Sequence, residues 1–229
     1  MITIALPKGR LQKAVLERFA AAGVRPDEEP GVSRKLIIPA GVGARFVILK
    51  DGDVPLYVER GAAALGVCGL DQVLESGADL LTPVDFGFGK CRLCLAAPRG
   101  SKLASQAALA EEQASPATGG GRKPQHPLDA AELGRSLRVA TKYPRLSAKW
   151  FARRGVPVDL VALSGSVELA AVAGLTDAIV DLVESGRTLE ENGLAVVDEL
   201  LQVSARLVVN RAAYRLKVEE LLPLLEKLA

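Results

Sequence analysis

Residues 177–193 read DAIVDLVESGRTLEENG. Ala178 to Val183 is an apolar, β-branched run interrupted at Asp181, which predicts a buried strand. Glu184, Ser185, Gly186, Arg187 and Thr188 follow, and Thr188 to Glu191 fits the capping box of a new helix. A strand that turns through a short polar segment into a helix is the unit of a layered α/β protein. The turn also carries chemistry. Backbone N–H groups at a helix start attract anions, and Gly186 lets the backbone approach a ligand closely. The hydroxyls of Ser185 and Thr188 add donors suited to a phosphate monoester. Asp181, with Glu184, could accept hydrogen bonds from a vicinal diol or hold Mg²⁺. A capped turn with solvated charges accounts for the same residues without any ligand.

The same rhythm extends in both directions. ITIAL at the N-terminus reads as a strand, and RLQKAVLERFAAAG as a helix with Leu11, Val15, Phe19 and Ala22 along one face and Gly23 as its stop. KLIIP and RFVILK read as strands, and Asp53 as the N-cap of a helix through VPLYVERG. Strand ALGVCG, helix LDQVLESG, and strands near Leu80 and at RLCLAAP come next. Beyond the middle of the chain stand strand LRVAT, helix PRLSAKWFARRG, strand VDLVAL and helix SVELAAVAG, then strands LAVVDELLQVS and ARLVVN. Such alternation predicts an α/β protein with mostly parallel strands. The final helix, AAYRLKVEELLPLLEKLA, should kink or split at Pro223.

Residues 99–132 break the pattern. They are rich in Ala, Gly, Ser and Gln and include SPATGGGRKPQHP, which predicts a mobile surface excursion with one short helix near SQAALAEEQ. A weak echo joins GAAALGVCGLDQVLESGA to GLTDAIVDLVESGRT, a shared Gly–strand–ESG layout that hints at two similar lobes.

Composition excludes several classes of function. With 229 residues, 49% of them hydrophobic, the chain can bury one large core or two small ones. A net charge of +2 without basic runs gives no nucleic-acid footprint. No stretch approaches the roughly 20 apolar residues of a membrane span, and the start MITIALPKGR lacks the pattern of a signal peptide, so a cytoplasmic location is expected. Cys68, Cys91 and Cys94 are an odd count. Cys91 and Cys94 form C-x-x-C, but on a strand they point to opposite faces, so buried free thiols are expected and no metal is assigned. The single histidine, His126, lies in the Gly- and Pro-rich excursion, which argues against histidine-based acid–base or triad chemistry.

Other turns can bind anions. In ALPKGRL a strand ends at Pro7, and Lys8, Gly9 and Arg10 open a helix, at the position where open α/β sheets take ligands. Arg34 precedes a strand and Lys50 follows one; with Lys8 and Arg10 they could surround a polyphosphate. ATKYP (140–144) and LSGSVELA (163–170) also lie at strand-to-helix turns, with Glu168 in the first turn of a helix. Exposed cations and a helix-dipole carboxylate are the plain alternatives.

Taken together and in order, IALPKGRL, SRKL, DVPLYVERGAAALGVCG, ATKYP, VELAAVAGLTDAIVDLVESGRTLEENGL and VSARLVVN resemble the ATP phosphoribosyltransferase family, over nearly the whole chain outside 99–132. The resemblance implies a two-lobed, periplasmic-binding-protein-like (type II) fold with the ligand cleft between lobes. Lobe I would hold 1–93 and 194–229, and lobe II 94–193. It implies transfer of 5-phosphoribosyl from phosphoribosyl pyrophosphate to ATP, the first step of histidine biosynthesis. Length suggests the short form, whose partner is a histidyl-tRNA-synthetase-like regulatory subunit carrying feedback inhibition by histidine. A hetero-octamer with that partner, and a homodimer without it, are implied.

The resemblance also distributes roles. Glu184, Ser185, Gly186, Arg187 and Thr188 would hold the 5′-phosphate, and Asp181 and Glu168 the ribose hydroxyls. Lys8, Arg10 and Lys50 would neutralise the departing pyrophosphate with Mg²⁺, and Arg34 would contact ATP. No general base is needed, because the attacking adenine nitrogen carries no proton at neutral pH. Catalysis then rests on positioning and electrostatics. Two positions depart from the family: Leu70 stands where a Lys is common, and Lys50 where some relatives carry Arg, a point charge replacing a bidentate fork. Two other readings remain: a non-enzymatic two-lobed binder of a phosphorylated ligand, and a phosphoribosyltransferase that uses another base.

Overall fold

The structure is a computed structural model, and it describes residues 1–32, 34–41, 43–114, 128 and 136–229. His126 lies outside the described residues, as does much of the second half of the 99–132 segment. The chain begins with β1 (Ile2–Pro7), α1 (Gln12–Ala21), β2 (Ile37–Ala40) and β3 (Ala44–Leu49). Then come a 3₁₀ turn (Asp51–Asp53), α2 (Val54–Glu59), β4 (Leu65–Gly69), α3 (Leu70–Ser76) and β5 (Leu80–Asp85). Next are β6 (Cys91–Pro98), α4 (Lys102–Ala114), β7 (Leu137–Thr141), α5 (Pro144–Arg153) and β8 (Val158–Ala162). The chain continues with α6 (Val167–Val172), β9 (Ala178–Val183), α7 (Arg187–Glu191) and β10 (Leu194–Val203). It closes with β11 (Ala205–Asn210), α8 (Arg211–Leu216) and α9 (Val218–Leu228).

Two compact units result, Met1–Lys90 with Val203–Ala229, and Cys91–Gln202. The boundaries differ from those expected at 93/94 and 193/194. Hydrogen bonding sets them: β10 pairs beside β6 in the second sheet, so nearly all of 194–203 goes with the second unit.

The first unit is built on a six-stranded sheet of order β2-β3-β1-β4-β11-β5. Alternation along β1 sends Ile4 and Leu6 to one face and Ala5 to the other. Ile4 and Leu6 join Phe19 of α1, Phe46 of β3 and Leu221 of α9 in one core; Phe19 and Phe46 meet edge to face at 5.7 Å. Ala5 packs instead with Val54 and Val58 of α2. That face is tight: a Cβ on Gly66 would stand 2.7 Å from Ala5 Cβ and 3.0 Å from Val54 Cγ1, so only glycine fits there. The predicted face of α1 is buried, with Leu11, Val15, Phe19 and Ala22 all in the core.

The second unit carries a five-stranded sheet, order β10-β6-β9-β7-β8. Leu93 and Leu95 of β6 face Trp150 and Phe151 of α5, while Cys94 and Ala96 face Val167 and Ala170 of α6 and Leu189 of α7. All three cysteines are buried, as expected, and burial pushes the Cys94 thiol up to about 11.

Four expectations need correction. The sheets are mixed rather than mostly parallel: β1 runs parallel to β3 and β4, and β7 to β8 and β9, but β11 lies antiparallel to β4 and β5, and β6 antiparallel to β9. Asp53 does not cap α2, because the 3₁₀ turn already gives it helical angles, φ −88° and ψ −19°, where a capping residue is extended. The last helix divides at Lys217 (φ −126°, ψ 30°), not at Pro223, which sits inside α9. The buried stripe Leu221, Leu224, Leu225 and Leu228 holds α9 together across the missing N–H. Finally, the 99–132 segment is not wholly a surface excursion. Helix α4 runs from Lys102 to Ala114, and Leu103, Ala107 and Leu128 belong to the second unit's core.

Candidate functional site

In the second unit the candidate residues gather at the C-terminal ends of its parallel strands. β9 ends at Val183, Glu184 and Ser185 lie exposed on the turn, and Gly186 takes the left-handed region at φ 82° and ψ −10°. A side chain would be strained at Gly186, which is what turns the chain into α7. The predicted capping box does not form: Gly186 occupies the N-cap, and Thr188 is already the second residue of α7. Ser185 Oγ instead accepts from the Arg187 amide at 3.4 Å. The Arg187 guanidinium lies along α7 on Glu191 at 2.8 Å, an exposed pair worth little and open to exchange for a stronger anion.

Asp181, three residues before this turn's first residue Glu184, lies within electrostatic reach of Glu168 in the neighbouring α6. Asp181 Oδ1 accepts from the Leu182 amide at 2.9 Å, and Oδ2 faces Lys142 Nζ at 3.7 Å. Burial raises the Asp181 carboxyl above its usual range, opposed by the Leu182 amide and Lys142, while the negative charge of Glu168 adds to the rise. Glu168 stands in the first turn of α6, whose N-cap Ser166 is left-handed at φ 49°. Among the described residues Ser166 is the one non-glycine with positive φ, a local strain of the kind that collects at binding turns. Asp177, four residues before Asp181, plays another part. Along a strand those residues are roughly 13 Å apart, and Asp177 is bound to the Arg138 amide at 2.9 Å and to its guanidinium at 3.7 Å.

In the first unit the cations also collect at strand ends. The parallel register Pro7↔Leu49 puts Lys8 and Lys50 side by side, and the Lys8 amide continues the pairing to Leu49 O at 2.7 Å. Gly9 (φ 90°) then turns the chain so that Arg10, exposed, donates to Gly89 O at 3.2 Å. Arg34, also exposed, precedes β2; the antiparallel register Ile37↔Val47 brings it to the same end of the sheet as Lys50. Two acids share this end. Asp51 Oδ1 is buried without a hydrogen-bond partner, and its carboxyl is pushed up to about 6, by burial first and by Asp71 second, against the Gly69 amide and Arg10.

A member of one family is expected to match its relatives along most of its length, and this chain does. The family model described as ATP phosphoribosyltransferase matches residues 50–229. The chain belongs to the ATP phosphoribosyltransferase family. An ATP phosphoribosyltransferase of Cupriavidus necator is 44% identical over 227 residues, 98% of this chain and 91% of the relative. One of Acidithiobacillus ferrooxidans is 44% identical over 218 residues, 94% of this chain and 90% of the relative. Among solved structures, a chain of the ATP phosphoribosyl transferase (HisG:HisZ) complex from Thermotoga maritima aligns with a TM-score of 0.76 at 32% identity, over 100% of this chain and 96% of that one. A periplasmic domain of BvgS from Bordetella pertussis aligns at TM-score 0.55 and 15% identity over 99% of this chain and 86% of that one, a likeness of fold alone.

In this family member, sequence reasoning missed Lys142, Asp51 and Asp71. ATKYP reads as a turn, but that Lys142 meets Asp181 follows only from the register Thr141↔Val180. Asp51 stood in view directly after Lys50; its burial against Asp71 depended on β3 and β4 flanking the same strand. At Leu70 the departure from the family costs no fold: its amide bonds Ser204 O at 3.0 Å and starts α3. A cavity of about 510 Å³ lies at the other end of the second unit's parallel strands, lined by Ser101, Lys102, Leu137, Gly174 and Thr176 among others, and it shares no residue with the candidate site. Among the described residues no group of three or more acids, histidines and cysteines is placed to hold a metal, and no helix is long and apolar enough to cross a membrane.

Proposed function

We propose that this chain transfers the 5-phosphoribosyl group of phosphoribosyl pyrophosphate to N1 of the adenine of ATP, releasing pyrophosphate, as the first step of histidine biosynthesis in the cytoplasm. The observation that carries the reading is the turn Glu184–Thr188 beside Asp181 and Glu168, in a chain of this family. Amides at Gly186 and Arg187 with the hydroxyls of Ser185 and Thr188 suit the three oxygens of a 5′-phosphate. Helix α7 has only five residues, so individual N–H donors matter more than a macrodipole. Asp181 and Glu168 accept the ribose hydroxyls. In the first unit Lys8, Arg10 and Lys50 take the charge that grows on the departing pyrophosphate, and Arg34 contacts ATP. The C1′–O bond to pyrophosphate breaks as the adenine N1 lone pair forms the new C1′–N bond with inversion, and no proton moves.

Mg²⁺ fits this scheme as part of the substrate. Lys142 already neutralises Asp181 at 3.7 Å, which favours the diol role there over metal ligation. Mg²⁺ commonly binds phosphate oxygens and keeps its waters, so it would enter on the pyrophosphate. A histidyl-tRNA-synthetase-like subunit is the expected partner, supported by the likeness to a chain of a HisG:HisZ complex. With it we expect a hetero-octamer, and without it a homodimer.

The test is a coupled assay. The chain is mixed with ATP, phosphoribosyl pyrophosphate, Mg²⁺ and a pyrophosphatase, with and without the partner, and phosphoribosyl-ATP is followed by its ultraviolet absorbance. Turnover that histidine inhibits only when the partner is present is the expected result. Silence in both conditions contradicts the reading.

A further inference from the structure

We propose that Lys142 is a positioning residue for phosphoribosyl binding: its ammonium holds the Asp181 carboxylate charged and aimed so that it can accept the ribose hydroxyls. The proposal rests on the sugar-binding role given to Asp181 above. Three observations support it. First, the register of the central strands is decisive. β7 and β9 run parallel with Thr141 opposite Val180, so the next residues, Lys142 and Asp181, fall side by side, and Nζ stands 3.7 Å from Oδ2. Second, the backbone on both sides of Lys142 is locked. Thr141 is fully buried; its hydroxyl donates to Val180 O at 2.8 Å and accepts from the Tyr143 amide at 2.9 Å. Tyr143 is itself buried in the core, and Pro144 opens α5 directly after it. Third, the carboxylate is gripped at both oxygens, by the Leu182 amide on Oδ1 and by Lys142 on Oδ2.

The need for such a cation follows from the surroundings. Asp181 is largely shielded from water, with its side chain 12% exposed, and Glu168 is a second negative charge close enough to perturb it. Two acids prepared for one diol repel each other, and a desolvated carboxylate tends to take up a proton. A protonated Asp181 would offer one acceptor fewer. Lys142, with 38% of its side chain exposed, opposes both effects. Because the ammonium acts on the acid that reads the hydroxyls, its loss should be felt by a sugar phosphate and not by phosphate alone.

Binding of ribose 5-phosphate and of inorganic phosphate, each followed by the amide shifts of Gly186 and Arg187 in the full chain, tests this directly. Lys142→Met should weaken ribose 5-phosphate about tenfold, the usual scale for disturbing a hydrogen bond to a charged group, and leave phosphate within about twofold. Lys142→Arg should recover most of the loss, which also separates a positioning role from a folding defect. Unchanged ribose 5-phosphate binding in Lys142→Met overturns the proposal, and so does an equal loss of both anions, which would place Lys142 on the phosphate. Asp181→Asn tests the reading beneath it: if that variant binds ribose 5-phosphate normally, the sugar role of Asp181 is wrong and the proposal falls with it.

Discussion

The tripeptide Glu-Ser-Gly occurs in both units, at Glu75–Gly77 and at Glu184–Gly186, and the two copies do opposite things. In the first unit it ends α3, with Gly77 as a left-handed C-cap at φ 64°. In the second it precedes α7, with Gly186 as a left-handed N-cap at φ 82°. The first copy therefore lies among helix carbonyls, which repel anions, and the second among helix amides, which attract them. Identical residues meet opposite helix ends, and only the second copy stands where N–H groups could receive an anion. The echo noticed in the sequence is thus misaligned, yet the units do correspond. Sheet order β3-β1-β4-β11-β5 in the first matches β8-β7-β9-β6-β10 in the second. In each, two parallel neighbours flank a central strand, and an antiparallel strand follows. In this correspondence Lys8 after β1 answers to Lys142 after β7, and Leu70 after β4 to Glu184 after β9. One topology carries a cationic strand-end in the first unit and, in the proposed assignment, a sugar-phosphate one in the second, so that function would reside in the ends of a fold rather than in the fold.

The correspondence can be broken most severely at α4, which follows β6 as α8 and α9 follow β11. Deleting 99–132 removes Leu103, Ala107 and Leu128 from the second core. At about 1.5–3 kcal/mol for each fully buried large side chain, the second unit should lose its cooperative melt while the first keeps one, as scanning calorimetry would show. An unchanged melt would return 99–132 to the status of a surface insertion. The anion turn comes next. Ser185→Ala with Thr188→Ala removes two donors, each worth roughly 1.5–3 kcal/mol toward a charged group, and calorimetric titration should find the loss in phosphoribosyl pyrophosphate and not in ATP. Ser76→Ala, in the other tripeptide, breaks only the bonds to Val73 O and from the Ala78 amide and should leave both ligands untouched.

Asp51 has no acidic counterpart after β8, where Leu163 and Ser164 stand, and its raised carboxyl predicts a pH effect on the first unit. With its carboxyl raised to about 6 from 3.8, the folded state prefers the protonated form. The stability it contributes is complete below pH 4 and is lost as pH rises through 6, on the order of 3 kcal/mol for a shift of this size. Asp51→Asn should therefore match the parent chain near pH 4 and exceed it at pH 7.5 in urea melts. A gap that does not widen with pH would refute the assignment. The smallest effect separates the two glycines. Gly77→Ala and Gly186→Ala should each cost about 1 kcal/mol of stability for a left-handed side chain, but only Gly186→Ala should also weaken phosphate binding.

Much of this architecture could be read along the chain, because strand alternation and helical faces are local signals. The face Leu11, Val15, Phe19 and Ala22, the strands on either side of Ser185–Gly186, and the buried thiols all follow from residues a few positions apart. What failed was long-range or ambiguous. The antiparallel placement of β6 and β11 depends on which strands meet after the chain passes between units. The helix at SQAALAEEQ was legible and α4 bears it out, but its alanine-rich face gave no sign that Leu103 and Ala107 would be buried in the second core. Lys142 and Asp51 reach the candidate sites through partners 39 and 20 positions away, and no spacing rule reports such pairs.

The division of labour between the units is the central claim, and one pair of titrations tests it directly. Ribose 5-phosphate and pyrophosphate would each be titrated into two variants, Ser185→Ala with Thr188→Ala in the second unit, and Lys8→Ala with Arg10→Ala in the first. The first variant should lose ribose 5-phosphate and keep pyrophosphate, and the second should do the reverse. If either variant loses both ligands to the same extent, the assignment of sugar phosphate to one unit and pyrophosphate to the other is wrong.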